Sequence, residues 1–292
     1  MIKRTAPIKI LNPFSIATFT SIVIVFFCCL IQSVYAQDLI PDTVIVQSGN
    51  LTLKALLWHP AGNGPFPTII FCHGSYGGAD TTDALKQTSV LGSVFAKKGY
   101  IFLILFRRGA GLSEGQGVNS SVLMYNAFKE KGQEERNKVQ EQQLETDQLQ
   151  DMISGLTYLR KRKDADTNRM VVMGHSFGGS LALLVAERDH GLKAVIVFSP
   201  AGYSWNLSPQ LRTRLISAVK NITVPIMIIH AQNDYSTNAG QSLDSVMNKL
   251  NKPRILKIYP NFGNSASDAH NLIFKSIETW KADVFKFLDK SL

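Results

Sequence analysis

Two stretches of the chain place a serine between glycines at the spacing Gly-x-Ser-x-Gly. In RRGAGLSEGQG, Gly111 and Gly115 bracket Ser113; in VVMGHSFGGS, Gly174 and Gly178 bracket Ser176. This spacing suits a sharp strand-to-helix turn that exposes a hydroxyl for nucleophilic attack. The turn needs a strand before the serine and a helix directly behind it, because the helix N-terminus stabilises developing negative charge. Ser176 has both: the apolar run RMVVMG precedes it and FGGSLALLVAERD follows with helical periodicity. Six residues separate Ser113 from the apolar run YIFLILF, and EGQGVNSS behind it is no helix. The flanks select Ser176 as the nucleophile. Ser113 is left to a tight loop, which Arg107 or Arg108 is expected to tie to neighbouring carbonyls or acids.

A serine hydroxyl needs a base at hydrogen-bond distance, and the base needs a carboxylate that fixes its tautomer. In the strand–turn–helix arrangement the chain order is Ser, then the acid, then His. His73 and His175 belong to turns beside the serine, His230 ends a strand and reads as buried, and His59 and His190 lie elsewhere. Only His270, in the loop NFGNSASDAH after the last strand, has both the order and the place. Asp234, in IIHAQNDYST just past a strand end, is the expected acid. Asp268 is its rival, but it lies so near His270 that hydrogen bonding within the loop suits it better. The oxyanion of an acyl intermediate needs N–H donors. Phe177 supplies one from the turn, and the loop His73-Gly74-Ser75-Tyr76-Gly77-Gly78 supplies a second from Ser75 or Tyr76.

The elements that would position these groups alternate along the chain. DTVIVQSGNLTLKALLWHP reads as a hairpin turning at Gly49-Asn50. FPTIIFC, YIFLILF, RMVVMG, KAVIVFS, VPIMIIH and RILKIYP read as buried strands, with helical stretches near 82–98, 127–163, 177–189, 208–220, 239–250 and 271–290. Residues 107–126, rich in Gly, Ser and Asn, read as a loop. The alternation predicts an α/β fold: a mostly parallel central sheet, helices on both faces and an antiparallel N-terminal hairpin at one edge. Ligands in such sheets bind at the carboxyl ends of the strands.

With these motifs assembled, the chain resembles an α/β-hydrolase of the dienelactone-hydrolase and prolyl-oligopeptidase-like group. The resemblance runs through FPTIIFCHGSYGG, FRRGAGLSEG, VVMGHSFGGSLAL, IMIIHAQNDYST and the late His270. It implies a serine triad acting on an acyl substrate. Two departures limit it: dienelactone hydrolases carry cysteine where this chain has Ser176, and the sequence holds no propeller domain. An ester is the expected substrate. The alternatives are a peptidase or amidase, an acyltransferase, or a non-catalytic binding module on the same fold. Residues 111–147 are long for their connection and suggest a partial cap.

Residues 1–36 read as a signal peptide, with Lys3, Arg4 and Lys9 ahead of FSIATFTSIVIVFFCCLIQ and small residues Val34 and Ala36 before the cleavage point. An apolar stretch of about 18 residues can also just span a bilayer, so a retained anchor is the alternative. Cleavage leaves a domain of residues 37–292, exported to the periplasm or the exterior without a membrane anchor. It also lowers the net charge from +9 to +6 and leaves Cys72 as the sole thiol. The remaining basic residues are scattered, apart from RKRK at 160–163, which argues against nucleic acid as a partner. No Cys/His/Glu cluster has zinc-ligand spacing, and GAGLSEG opens no helix as a dinucleotide loop would, so neither metal nor cofactor is expected.

Overall fold

A computed structural model describes residues 39–75 and 81–292, leaving aside the side chains of 81–87. The expected signal segment and Tyr76 lie outside the described residues. The N-terminal hairpin forms from β1 (Asp42–Ser48) and β2 (Leu51–Trp58), with Gly49 at φ +57° in the turn. Then follow β3 (Phe66–Cys72), α1 (Thr81–Lys97) and β4 (Ile101–Leu105). After a 3-10 turn at Gly111–Ser113 come α2 (Ser120–Glu145) and α3 (Asp147–Arg160). The second half continues with β5 (Ala165–His175), α4 (Phe177–Arg188), β6 (Ala194–Phe198), α5 (Pro209–Asn221), β7 (Ile226–Ala231), α6 (Asn238–Lys249) and β8 (Arg254–Tyr259). Three helices close the chain: α7 (Ala266–His270), α8 (Leu272–Lys275) and α9 (Ile277–Ser291).

The eight strands form one sheet in the order β1-β2-β4-β3-β5-β6-β7-β8. Strands β4 through β8 run parallel, and the hairpin joins antiparallel through β2 against β4. Strand pleating sends alternate residues to opposite faces. Ile70, Cys72, Leu103, Leu105 and Val172 share one core with Met152 and Leu156 of α3, Leu181 and Leu184 of α4 and Leu215 of α5. Phe71, Phe102 and Phe198 face the other side. There the ring of Phe95 on α1 lies 4.9 Å from Phe102, and Trp280 on α9 lies 5.1 Å from Phe198. Both faces are therefore covered, which is why the central strands read as unbroken apolar runs rather than alternating ones. Each such side chain contributes roughly 1.5–3 kcal/mol by its burial.

Three local readings need correction. The stretch expected to be a loop to residue 126 turns helical at Ser120, because the Asn119 side chain accepts the Ser121 N–H (2.8 Å) and caps α2. Its Asn-Ser-Ser run is a helix start. Helix α2 is itself interrupted at Gly132, which sits at φ 79°, ψ −165°. The expected last helix over 271–290 is two pieces, α8 and α9, and His270 ends the short helix α7 instead of lying in an open loop. Ser265 caps that turn by accepting the Asp268 N–H.

Candidate active site

Three side chains carried beyond the carboxyl ends of β5, β7 and β8 meet. Ser176 stands between the last residue of β5 and the first of α4, at φ 57°, ψ −121°. An L-residue held there stores on the order of 1–3 kcal/mol of strain. The surroundings hold it: the Ser176 N–H donates to Phe198 O (2.9 Å), and its carbonyl accepts from the N–H groups of Gly179 (2.9 Å) and Ser180 (3.1 Å). The Ser176 hydroxyl donates to His270 Nε2 at 2.8 Å, and His270 Nδ1–H donates to Asp234 Oδ1 at 2.8 Å.

Asp234 sits three residues beyond β7, buried and fully engaged. Its Oδ1 also accepts the Tyr235 N–H (2.7 Å), and its Oδ2 accepts His230 Nδ1–H (3.1 Å). Burial alone would raise the carboxyl, but hydrogen bonds from His230 and His270 hold it well below the usual carboxylate range. The ionised form is the one that orients an imidazole. His175 donates Nε2–H to the His270 carbonyl (2.8 Å), its ring 4.8 Å from that of His270. Burial and then the neighbouring His270 lower it to about 3, so it stays neutral and works as a strut. Asp268 does not reach the imidazole. It accepts from Asn264 N–H (3.1 Å) and Ser265 Oγ–H (2.8 Å) and pairs with Lys275, all within its own loop.

Of the expected oxyanion donors, Phe177 opens α4, where a first-turn N–H has no intrahelical acceptor. Ser75 is exposed and follows Gly74, and a Cβ placed on Gly74 would lie 3.4 Å from Ser176 Cβ. Tyr76 lies outside the described residues. The loop bearing these groups is gripped by Arg107, whose guanidinium donates to His73 O (2.9 Å), Gly74 O (3.3 Å) and Gln148 Oε1 (2.6 Å) and lies 5.5 Å from the Phe177 ring. His73 donates Nδ1–H to Gly74 O (2.8 Å) and accepts the Arg107 N–H (3.3 Å). Burial, with Arg107 beside it, keeps His73 neutral.

The other Gly-x-Ser-x-Gly stretch braces this loop from behind. Arg108 pairs with Asp151 and Asp147, both at 2.7 Å. Ser113 is fully buried, donating to Phe106 O (2.7 Å) and accepting the Lys54 N–H (2.8 Å). Ser113→Ala is therefore expected to lower stability by about 1–3 kcal/mol, the cost of an orphaned buried donor. The specific activity of the folded variant should stay within twofold or so of wild type. A urea titration beside an activity assay on folded protein separates the two effects, and a loss of activity without a loss of stability would contradict this assignment.

The family model of the dienelactone hydrolase family matches residues 53–275. The chain belongs to the dienelactone hydrolase family. It is 29% identical over 160 residues to the quorum-quenching protein AidA of Acinetobacter baumannii, covering 55% of this chain and 44% of that protein. It is 33% identical over 132 residues to cutinase est2 of Thermobifida alba, covering 44% of this chain and 39% of that protein. The chain thus matches less than half the length of either relative. Among solved structures, Pyrococcus horikoshii acylaminoacyl peptidase superposes with a TM-score of 0.63 at 18% identity, over 88% of this chain and 42% of that one. That likeness concerns the fold.

In this dienelactone hydrolase family member Cys72, the last residue of β3, is fully buried and its thiol is pushed up to about 12 by burial. It is a neutral core thiol, far from the thiolate a cysteine nucleophile requires. Sequence reasoning missed two aromatic residues, one beside the histidine and one against the first. The Tyr235 ring lies 5.1 Å from His270, and Tyr203 meets Tyr235 edge-on at 6.2 Å; both are exposed. The one signal was Tyr235's place directly after Asp234. Among the described residues no group of three or more His, Cys, Asp or Glu is placed to hold a metal ion. Nor, among them, is any helix long and apolar enough to cross a membrane.

Proposed function

We propose that this chain is a serine hydrolase whose substrate is a carboxylic ester of a small acyl compound. The observation that carries the reading is the unbroken hydrogen-bond path from Ser176 Oγ through His270 to buried Asp234, with both links at 2.8 Å. In this reading the Ser176 oxygen attacks the acyl carbonyl while His270 Nε2 takes its proton, and Asp234 stabilises the resulting imidazolium. The N–H groups of Phe177 and of Ser75 or Tyr76 receive the oxyanion. His270 then protonates the departing alkoxide, leaving an acyl-serine, and water activated by the same imidazole releases the acid. An alkoxide leaves more readily than an amine, and the match to a relative named as a cutinase also favours the ester.

Residues 111–147 serve in this reading as a partial cap over the site, supported by the hydrogen bond from Asn137 on α2 to the carbonyl of Leu207 in the loop after β6 (2.7 Å). With residues 1–36 read as an export signal, the domain of residues 37–292 would act in the periplasm or outside the cell.

The test is a fluorophosphonate label together with p-nitrophenyl acetate and its anilide counterpart. Labelling of Ser176 and preferential cleavage of the ester are expected. An unlabelled Ser176 on folded protein overturns the hydrolase reading. Equal turnover of ester and anilide overturns the ester preference.

A further inference from the structure

We infer that His230 is a positioning residue that fixes the plane of the Asp234 carboxylate. This rests on the ester-hydrolase reading above only for the part of its test that measures turnover. The terminal torsion of an aspartate is broad, so one hydrogen bond to one oxygen leaves the carboxylate free to swing. Both Oδ1 bonds, from His270 and from the Tyr235 N–H, act on the same oxygen. His230 holds the other, Oδ2, with an Nδ1–H donor from the neighbouring end of β7. Two imidazoles thus point their Nδ1–H groups at the two oxygens of one acid.

The burial of His230 is otherwise hard to account for. Its side chain is fully buried, and Nε2 has no hydrogen-bond partner. Leaving a buried polar atom unmatched is destabilising, and a phenylalanine or leucine of similar volume would avoid that. The far edge of the ring rests on the backbone of α6 at Gly240, where an added Cβ would lie 2.7 Å from both Cδ2 and Nε2. That apolar edge also decides the tautomer. A proton on Nε2 would be an orphaned buried donor, so the proton belongs on Nδ1, where Asp234 accepts it. The unmatched atom is then a lone pair. The same glycine that removes a partner from Nε2 keeps the ring in donor orientation, and the Oδ1–His270 bond stays aligned as His270 takes and returns its proton.

His230→Phe should keep the ring volume, remove the orphan nitrogen and remove the donor. It is expected to fold, the lost donor to the buried carboxylate being set against the lost orphan nitrogen, while kcat for p-nitrophenyl acetate falls roughly tenfold to a hundredfold, the scale of a misplaced catalytic group, with KM within about twofold. His230→Asn places an amide N–H where Nδ1 stood and should recover most of kcat despite its smaller volume. A ring that served packing alone would give the reverse order. A folded Phe variant with wild-type kcat, or an Asn variant no faster than Phe, overturns the inference. Nitrogen-15 spectra of histidine-labelled wild type give a readout independent of turnover: His230 is expected as the Nδ1–H tautomer, and the Nε2–H tautomer overturns the inference. If wild type neither turns over the ester nor takes the label, the hydrolase reading fails while the tautomer still decides this one.

Discussion

Replacing Ser176 with alanine is expected to lower ester turnover by about 10⁴-fold or more while leaving the protein folded. In the proposed mechanism the hydroxyl, the base and the acid act as one unit, so without the oxygen the other two have nothing to activate. The fold should survive because alanine keeps the Cβ that serine already carries at φ 57°, so the strain of the turn is unchanged. The backbone bonds that hold the turn, from Ser176 N–H to Phe198 O and from Gly179 and Ser180 to Ser176 O, involve no side-chain atom. His270 loses its partner at Nε2, but its side chain is 11% exposed and can bond to water instead. Stability is therefore expected to stay within about 1 kcal/mol of wild type. Ser176→Gly should be equally inactive yet more stable, by roughly 0.5–1 kcal/mol, since glycine adopts positive φ without steric cost. Kinetics with p-nitrophenyl acetate and urea titrations of both variants check this pair. An alanine variant retaining a few per cent of wild-type turnover would place the nucleophile elsewhere.

Much of this arrangement is legible in the sequence because the sheet is buried on both sides. FPTIIFC and YIFLILF carry no polar face, so they read as central parallel strands. Strand ends then locate the residues that can converge: Ser176 after β5, Asp234 after β7 and His270 after β8 do meet. What stays hidden is whatever depends on contacts between distant segments. His175 is joined to the His270 carbonyl across 95 residues, and no local pattern distinguishes its side chain from an ordinary buried one. The expectation that Arg107 or Arg108 ties to carbonyls or acids is met, but its partners, His73 O across 34 residues among them, are not written in the local sequence. His230 reads as a core histidine because it closes an apolar strand, and only its 3.1 Å contact with Asp234 gives it a second role. The start of α2 was obscured differently. Asn, Ser and Gly favour both loops and helix caps, and only the Asn119 side-chain bond to the Ser121 N–H makes the run before Ser120 a helix start.

The other large effect is expected at Gly178, where substitution by alanine should all but eliminate folded protein. A Cβ there would lie 2.0 Å from Cys72 O and 2.3 Å from His73 O. Both are backbone atoms at the end of β3, in the middle of the sheet, so no flexible side chain can move aside. Helix α4 would have to lift away from the strands, taking the serine turn with it and breaking the pairing that seats Arg107 on His73 O. A cost above about 4 kcal/mol is expected, a large share of the 5–15 kcal/mol that stabilises a typical domain. Gly179→Ala, whose nearest neighbours would be Pro200 Cα at 3.1 Å and Phe198 O at 3.2 Å, should be far milder. Gly115→Ala should cost only about 1–2 kcal/mol, because Gly115 faces open space and is needed for its φ of +81° alone. Folded yield and urea midpoints of the three variants measure the order; Gly178→Ala no worse than Gly115→Ala would contradict the close approach. The same five-residue spacing thus carries different physics in its two copies. The closing glycine around Ser113 supplies left-handed backbone for a loop, while Gly178 makes room for a helix to press its first turn against a strand and present Ser176.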